Sequence, residues 1–138
     1  MATAGYSGKS LAQKLGVKPG DAVRPIGAPD HYAGLLEPLP GGAGVDVGAK
    51  GAAIVHAFVR SVRDLELLGP DLVHLPGPGG ALWISWPKKS SALFLDLTED
   101  GVRRVMLPTG WVDVKVCAVD ADWSGLKFLR RRQPKPVA

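Results

Sequence analysis

The chain has a single cysteine, Cys117, among 138 residues. One thiol excludes an internal disulfide and a cysteine-built zinc site, and it fits a reducing compartment. No apolar run approaches the roughly 18 residues needed to cross a bilayer. The opening Met1-Ala2-Thr3-Ala4-Gly5-Tyr6-Ser7 lacks the apolar core of a signal peptide. The expected location is therefore the cytoplasm. Histidine is scarce and scattered, as His31, His56 and His74, with no ligand spacing between them. Ser85, Ser90, Ser91 and Ser124 are available as nucleophiles, but no histidine stands beside them in sequence to activate one. Gly8-Lys9-Ser10 lacks the rest of a phosphate-binding loop, because Thr3 occupies the position of its first glycine. No cofactor and no metal is expected. Acidic residues are missing after Asp122, while Lys127, Arg130, Arg131, Arg132 and Lys135 follow. Aromatic residues are not interleaved with these tail cations, so nucleic-acid binding is not expected of them.

What is present reads as one α/β domain over residues 1–132, with a disordered basic tail over 133–138. Apolar residues make up 46% and charged residues 22%, the composition of a folded protein. Eighteen glycines and twelve prolines imply many turns and short elements. Ser7 caps a short helix carrying Leu11 and Leu15, and Gly16 ends it. Asp21–Ile26 is a first strand interrupted by Pro25, which places it at an edge or ends it early. Asp30 caps a helix with Tyr32, Leu35 and Leu36. Val45-Asp46-Val47 is a minimal strand.

Ala52–Val59 is almost continuously apolar, as in a strand covered on both faces. His56, in its middle, reads as a hydrogen-bonded core histidine. Ser61 then caps a helix, with Asp64 at the reciprocal capping position. Leu65 and Leu68 form the buried stripe, and Gly69-Pro70 stops it. Pro76-Gly77-Pro78-Gly79-Gly80 turns the chain into a core strand, Ala81–Trp86. This strand–helix–strand unit suits a parallel crossover. Asp96 or Thr98 caps a further helix, with Val102, Val105 and Met106 inward. Val112, Val114 and Val116 alternate with Asp113, Lys115 and Cys117 in a strand with unlike faces. After a turn over Asp120–Gly125, Leu126–Arg131 returns as the last strand.

The loop ending Pro78-Gly79-Gly80 before a strand, and the closing helix and strand pair over Glu99–Arg131, resemble the later half of class I methyltransferases. The likeness extends in layout over residues 20–132. It implies an open, mostly parallel Rossmann-like sheet flanked by helices, with an antiparallel C-terminal strand pair. Ala4-Gly5-Tyr6-Ser7-Gly8, Leu82–Lys89, Val112–Asp120 and Trp123–Phe128 are similar to the bacterial family named domain of unknown function 3052, which brings no established activity with it. The methyltransferase likeness would also imply a glycine-rich turn after the first strand. Here that turn is Arg24-Pro25-Ile26-Gly27-Ala28-Pro29-Asp30, with one glycine and two prolines, and Asp46 stands where a second acid would be. The expectation is the fold without ordinary S-adenosylmethionine binding.

That layout sets the last strand between Ala81–Trp86 and Trp111–Val119. Trp86, Lys88 and Lys89 then lie beside Asp122, Trp123 and Ser124, at the carboxyl end of the parallel strands. Ligands bind at that end in open α/β sheets. Gly27, Asp30, His31 and Arg60 would border this rim. An indole with two ammonium groups suits a flat or anionic ligand, or a cation–π lock within the protein. Trp83, Trp86 and Trp123 can equally be core filling. Two functions are compatible with these residues. One is a non-catalytic module binding an anionic small molecule or a protein partner. The other is an enzyme acting on an anionic small molecule, with Lys88, Lys89 and Asp122 handling it.

Overall fold

A computed structural model describes residues 9–131. Six strands form one sheet in the order β2-β1-β3-β4-β6-β5. They are β1 (Ala22–Ile26), β2 (Gly44–Val45), β3 (Ala52–Phe58), β4 (Pro76–Pro87), β5 (Trp111–Ala118) and β6 (Trp123–Arg130). The first four run parallel, and β6 inserts antiparallel between β4 and β5. The helices are α1 (Leu11–Leu15), α2 (Tyr32–Leu36), α3 (Val62–Leu72) and α4 (Glu99–Met106). The expected mostly parallel sheet with an antiparallel closing pair is therefore present. Its two faces carry separate cores. On one face α3 and α4 cover Val55, Leu82, Ile84, Trp86 and Phe128. On the other, α1 and α2 cover Val23, Ile54, Phe58, Trp83 and Trp123.

Pro25 sits inside β1, although β1 is not the last strand. Its neighbour β2 pairs only with Ala22 and Val23, so at Pro25 that side of the strand is open. A missing N–H is tolerated there because no ladder partner needs it.

Several local expectations are corrected. The cap of α1 is Ser10, which accepts from Gln13 N–H in a capping box; Ser7 lies outside the described residues. Gly16 ends α1 at φ 83°, as its position implies. Asp30 does not cap α2. His31 holds the cap position without a side-chain bond, and the Tyr32 N–H is already taken by the Pro29 carbonyl.

Helix α3 runs through Gly69-Pro70 to Leu72. Its buried stripe is Leu65, Gly69 and Leu72, while Leu68 is 37% exposed. Gly69 explains both differences. A Cβ there would lie 3.6 Å from Met106 Sδ, so the bare glycine is the contact point with α4. Buried Leu72 holds the turn after Pro70 in place. Ser61 Oγ accepts from Asp64 N–H, but the Val62 N–H goes to Asp96 Oδ1 from the distant loop. Asp96 thus serves α3, and Thr98 caps α4.

Two strand expectations also shift. β4 begins at Pro76, not Ala81, because the Pro-Gly segment is an irregularity within the strand. Ala52 pairs with Pro76 and Ile54 with Ala81, so extra β4 residues are extruded between them. A Cβ on Gly77 would lie 2.5 Å from the Gly51 carbonyl oxygen, and one on Gly80 3.0 Å from that of Ala52. Only glycine lets the two backbones approach this closely. On the edge strand β5, Val114 and Val116 are each 50% exposed, because no described helix covers them. Val114 lies at a break in the pairing register between Asp113 and Lys115.

Alanine at position 77 should cost roughly 1–3 kcal/mol through forced separation of the strands. Urea unfolding of Gly77→Ala measures this, and an unchanged midpoint would contradict the close packing.

Candidate functional site

Strand β4 stops at Pro87, and the loop that follows is stapled to the β5–β6 turn. The Lys88 N–H donates to the Asp122 carbonyl at 2.8 Å. The Lys88 ammonium donates to the Asp120 carbonyl, also at 2.8 Å. Asp122 Oδ1 accepts from the Ser91 hydroxyl at 2.8 Å. The turn is itself shaped by Asp120, whose Oδ1 accepts the N–H groups of Asp122 and Trp123. The sheet register sets Trp86 opposite Ser124 and Pro87 opposite Trp123. The six residues expected at this rim are therefore neighbours in the fold, but they do not face one space.

Trp86 and Trp123 are 6% and 7% exposed and pack in different cores, on opposite faces of the sheet. Their burial assigns them mainly to packing. Trp123 meets Phe58 edge to face at 5.0 Å. Lys88 is half-buried and its ammonium is bonded to backbone, whereas Lys89 is exposed. A cleft of about 490 Å³ collects Trp86, Lys88, Lys89 and Ser124 together with Thr98, Glu99 and Asp100. The sequence marks Thr98 as a candidate helix cap, but nothing in it brings the start of α4 to this rim. Glu99 and Asp100 are both within ion-pair distance of Arg103.

The bordering residues are placed by the neighbouring loops. His31 Nε2 is 3.3 Å from Asp120 Oδ2. Arg60 donates to the Leu93 carbonyl at 2.9 Å. Arg60 also lines a separate cleft of about 450 Å³ with Phe58, Leu67, Leu68 and Leu95. A cavity of about 760 Å³ lies at the other end of the sheet, against Pro76–Gly80, Trp111, Arg130 and Arg131. There the Arg130 guanidinium stands 4.9 Å from the Trp111 ring centre. Of the tail cations, Arg132 and Lys135 lie outside the described residues. Cys117 is half-buried, and burial pushes its thiol pKa up.

One pairing reverses the sequence reading. A histidine does stand beside a serine: His56 Nε2 is 2.7 Å from Ser85 Oγ. Its Nδ1 is 2.8 Å from the Tyr32 hydroxyl. The contact was illegible because the two residues come from adjacent parallel strands, 29 positions apart. His56 and Ser85 are both fully buried, and Tyr32 is 3% exposed. No substrate can reach that serine, so the chain holds the core together and His56 is the hydrogen-bonded core histidine expected. Burial lowers the His56 pKa to about 3 and raises that of Tyr32. A neutral ring has one donor and one acceptor nitrogen, so one hydroxyl neighbour donates and the other accepts.

This aromatic core lies beside the crevice between β1 and β3, where the order of the parallel strands reverses. Phe58, at the end of β3, stacks on His56 at 4.3 Å and meets Tyr32 at 5.4 Å. Across the crevice, Gly27 takes φ 66°, and a Cβ there would lie 3.0 Å from the Phe58 carbonyl oxygen. Asp46 Oδ1 is taken by the N–H of Gly48.

Among the described residues no three histidine, cysteine or acidic side chains converge as metal ligands. No described helix is long and apolar enough to cross a membrane.

Solved structures share this fold at low identity. The chain is similar to a "possible exported protein" from Bordetella parapertussis, with 12% identity and a TM-score of 0.60, over 88% of this chain and 65% of that one. It is similar to a SAM-dependent methyltransferase from Aquifex aeolicus, with 14% identity and a TM-score of 0.59, over 86% of each chain. It is also similar to fibrillarin from Aeropyrum pernix, solved with S-adenosyl-L-methionine bound, with 12% identity and a TM-score of 0.58, over 86% of this chain and 73% of that one. The chain thus spans just under two-thirds of the Bordetella protein. No family model matches the sequence, and no curated protein matches it. The fold is that of the methyltransferase-like α/β proteins.

Two predictions follow from the geometry at this end. Lys88→Met should destabilise by about 1 kcal/mol through loss of the bond to Asp120, whereas Lys89→Ala should stay within about 0.5 kcal/mol of wild type. Thermal unfolding of the pair separates them, and equal melting temperatures would refute the staple. Acid should also weaken the fold through His56. The unfolded ring takes a proton near pH 6.5, while the folded ring stays neutral down to about 3. The unfolded state binds more protons in that window, so stability falls as pH drops through it, by up to about 1.4 kcal/mol per unit. Urea unfolding at pH 7 and pH 5 should show this slope in wild type and a flatter one in His56→Gln.

Proposed function

We propose that this protein is a binding module that uses a methyltransferase-like scaffold without S-adenosylmethionine chemistry. The observation that carries the reading is the packing at the β1–β3 crevice. Doubly wound sheets bind a cofactor there on a glycine-rich turn whose bare backbone lets the ligand approach closely. Here the turn has one glycine, and it rests on the Phe58 carbonyl. Tyr32, His56, Phe58 and Trp123 pack tightly beside it. Asp46, the residue in place to meet a ribose hydroxyl, is exposed and engaged with its own loop. These residues do not fit the cofactor.

The contact surface in this reading is the carboxyl rim. Lys89 reaches solvent there, and Thr98, Ser124 and Trp86 line the same cleft. Glu99 and Asp100 line the same cleft, and Arg103, at 2.7 Å and 3.5 Å, partly offsets their charge beside the lysine. The occupant is an anionic small molecule or an acidic segment of a partner protein. A second reading, an enzyme acting on an anionic substrate in this cleft, is favoured by its volume of about 490 Å³, which lies within the range of small-molecule sites.

Calorimetric titration of the whole protein with S-adenosylmethionine should give no saturable heat. Binding in the micromolar range would overturn the proposal. Under the second reading, Lys89→Ala should abolish turnover of any substrate found while leaving the melting temperature in place.

A further inference from the structure

The other end of the sheet holds a charge arrangement that the proposed function does not use. Lys115 and Lys127 are direct cross-strand partners on β5 and β6. Like charges placed opposite each other on a sheet are destabilising. Lys127 is nonetheless half-buried, and its ammonium lies 3.6 Å from where a Cβ on Gly16 would be, at the end of α1. Lys18, just beyond that helix end, joins Lys127 in lining a pocket of about 230 Å³. No described carboxylate lies within ion-pair distance of Lys18, Lys115 or Lys127. Asp21 also lines the pocket, and its Oδ2 accepts the backbone N–H of Lys18. The Lys115 ammonium donates to the Lys14 carbonyl. Burial and the neighbouring Lys115 and Lys18 charges together lower the pKa of Lys127, the signature of a cation short of a counter-charge.

Gly79 borders this pocket and also the larger cleft of Arg130 and Arg131. It takes φ 73°, and nothing lies within 4 Å of its missing Cβ, so neither a side chain of its own nor a neighbour fills that position. Bare glycine backbone facing convergent cations is a setting in which a small anion can approach closely.

We propose that this pocket binds a phosphate-type anion, held between Lys18 and Lys127 against the Gly79 backbone. Its volume, below the range usual for drug-sized ligands, suits inorganic phosphate, pyrophosphate or a single phosphate of a longer chain. The site lies at the amino end of β4, the length of that strand away from Lys89. It therefore does not rest on the reading of the carboxyl rim.

The test titrates the full chain with pyrophosphate at low salt. Saturable binding that weakens as salt rises is expected. Lys127→Met should weaken it at least about tenfold, the scale of losing one charge-assisted contact. The same substitution should leave the melting temperature equal or higher, because it relieves repulsion between Lys115 and Lys127. Lys18→Ala should weaken binding as well, with each substitution made in a Lys89→Ala background so that the carboxyl rim does not contribute. Competition with a short single-stranded oligonucleotide identifies the source of the phosphate. If pyrophosphate displaces a bound oligonucleotide, the pocket takes nucleic-acid phosphates; if the oligonucleotide does not bind, it takes free phosphate. Absence of pyrophosphate binding overturns the proposal. So does binding in that background that survives both Lys127→Met and Lys18→Ala.

Discussion

The hydrogen-bonded chain Tyr32–His56–Ser85 is the constraint from which the rest of the structure follows. It ties α2 to β3 and β3 to β4 through one fully buried ring. Losing either hydroxyl partner would strand a buried imidazole nitrogen, a penalty of about 1–3 kcal/mol. That is a large part of a typical domain's margin. The neighbours conform to the chain. Position 125 on β6 is glycine, where a Cβ would come within 3.2 Å of both Ser85 Oγ and the Trp83 ring. Trp83 can then sit flat in the core and donate its indole N–H to the Leu15 carbonyl, which finishes α1. Phe58 stacks on the ring, and Trp123 meets Phe58. The aromatic core on the α1–α2 face is thus one connected unit built around a neutral histidine.

This unit also decides what the carboxyl end of the sheet can offer. Where methyltransferase-like proteins leave a crevice between the first and the next strand, this chain places packed rings and a turn resting on backbone. In the proposed reading, ligand contact moves sideways, to the rim formed by the end of β4 and the start of α4. There the lysines divide their roles. Lys88 serves the fold through the Asp120 carbonyl, and Lys89 faces solvent. The amino end of the sheet has the complementary character, with cations left together beside a glycine segment that the register of β3 and β4 forces outward.

Much of this was legible from pattern. The unbroken apolar run Ala52–Val59 marked a strand covered on both faces, whereas the position of β6 between β4 and β5 came from the resemblance to methyltransferases. What pattern could not give were quantities set by distant contacts. Gly69-Pro70 reads locally as a stop, yet α3 continues because α4 packs on the glycine. Asp96 reads as a cap for the next helix, yet it serves the previous one across the loop. At the candidate site, sequence placed Trp86 beside Trp123 but not on opposite faces. An antiparallel register of Trp86 with Ser124 sends the two indoles apart, and only the register reveals it. The pairing of His56 with Ser85 was hidden for the same reason, since a two-residue offset between neighbouring strands leaves no trace in either strand alone.

The central claim is that His56 lies sealed in this core as a neutral ring, closing the crevice that a cofactor would need. Nuclear magnetic resonance of the His56 imidazole, followed from pH 7.5 to pH 4.5, tests it directly. The account predicts one fixed tautomer with no titration across that range. A ring that titrates near its ordinary pKa of about 6.5 would mean that water reaches it and that the crevice is open, which would contradict the account.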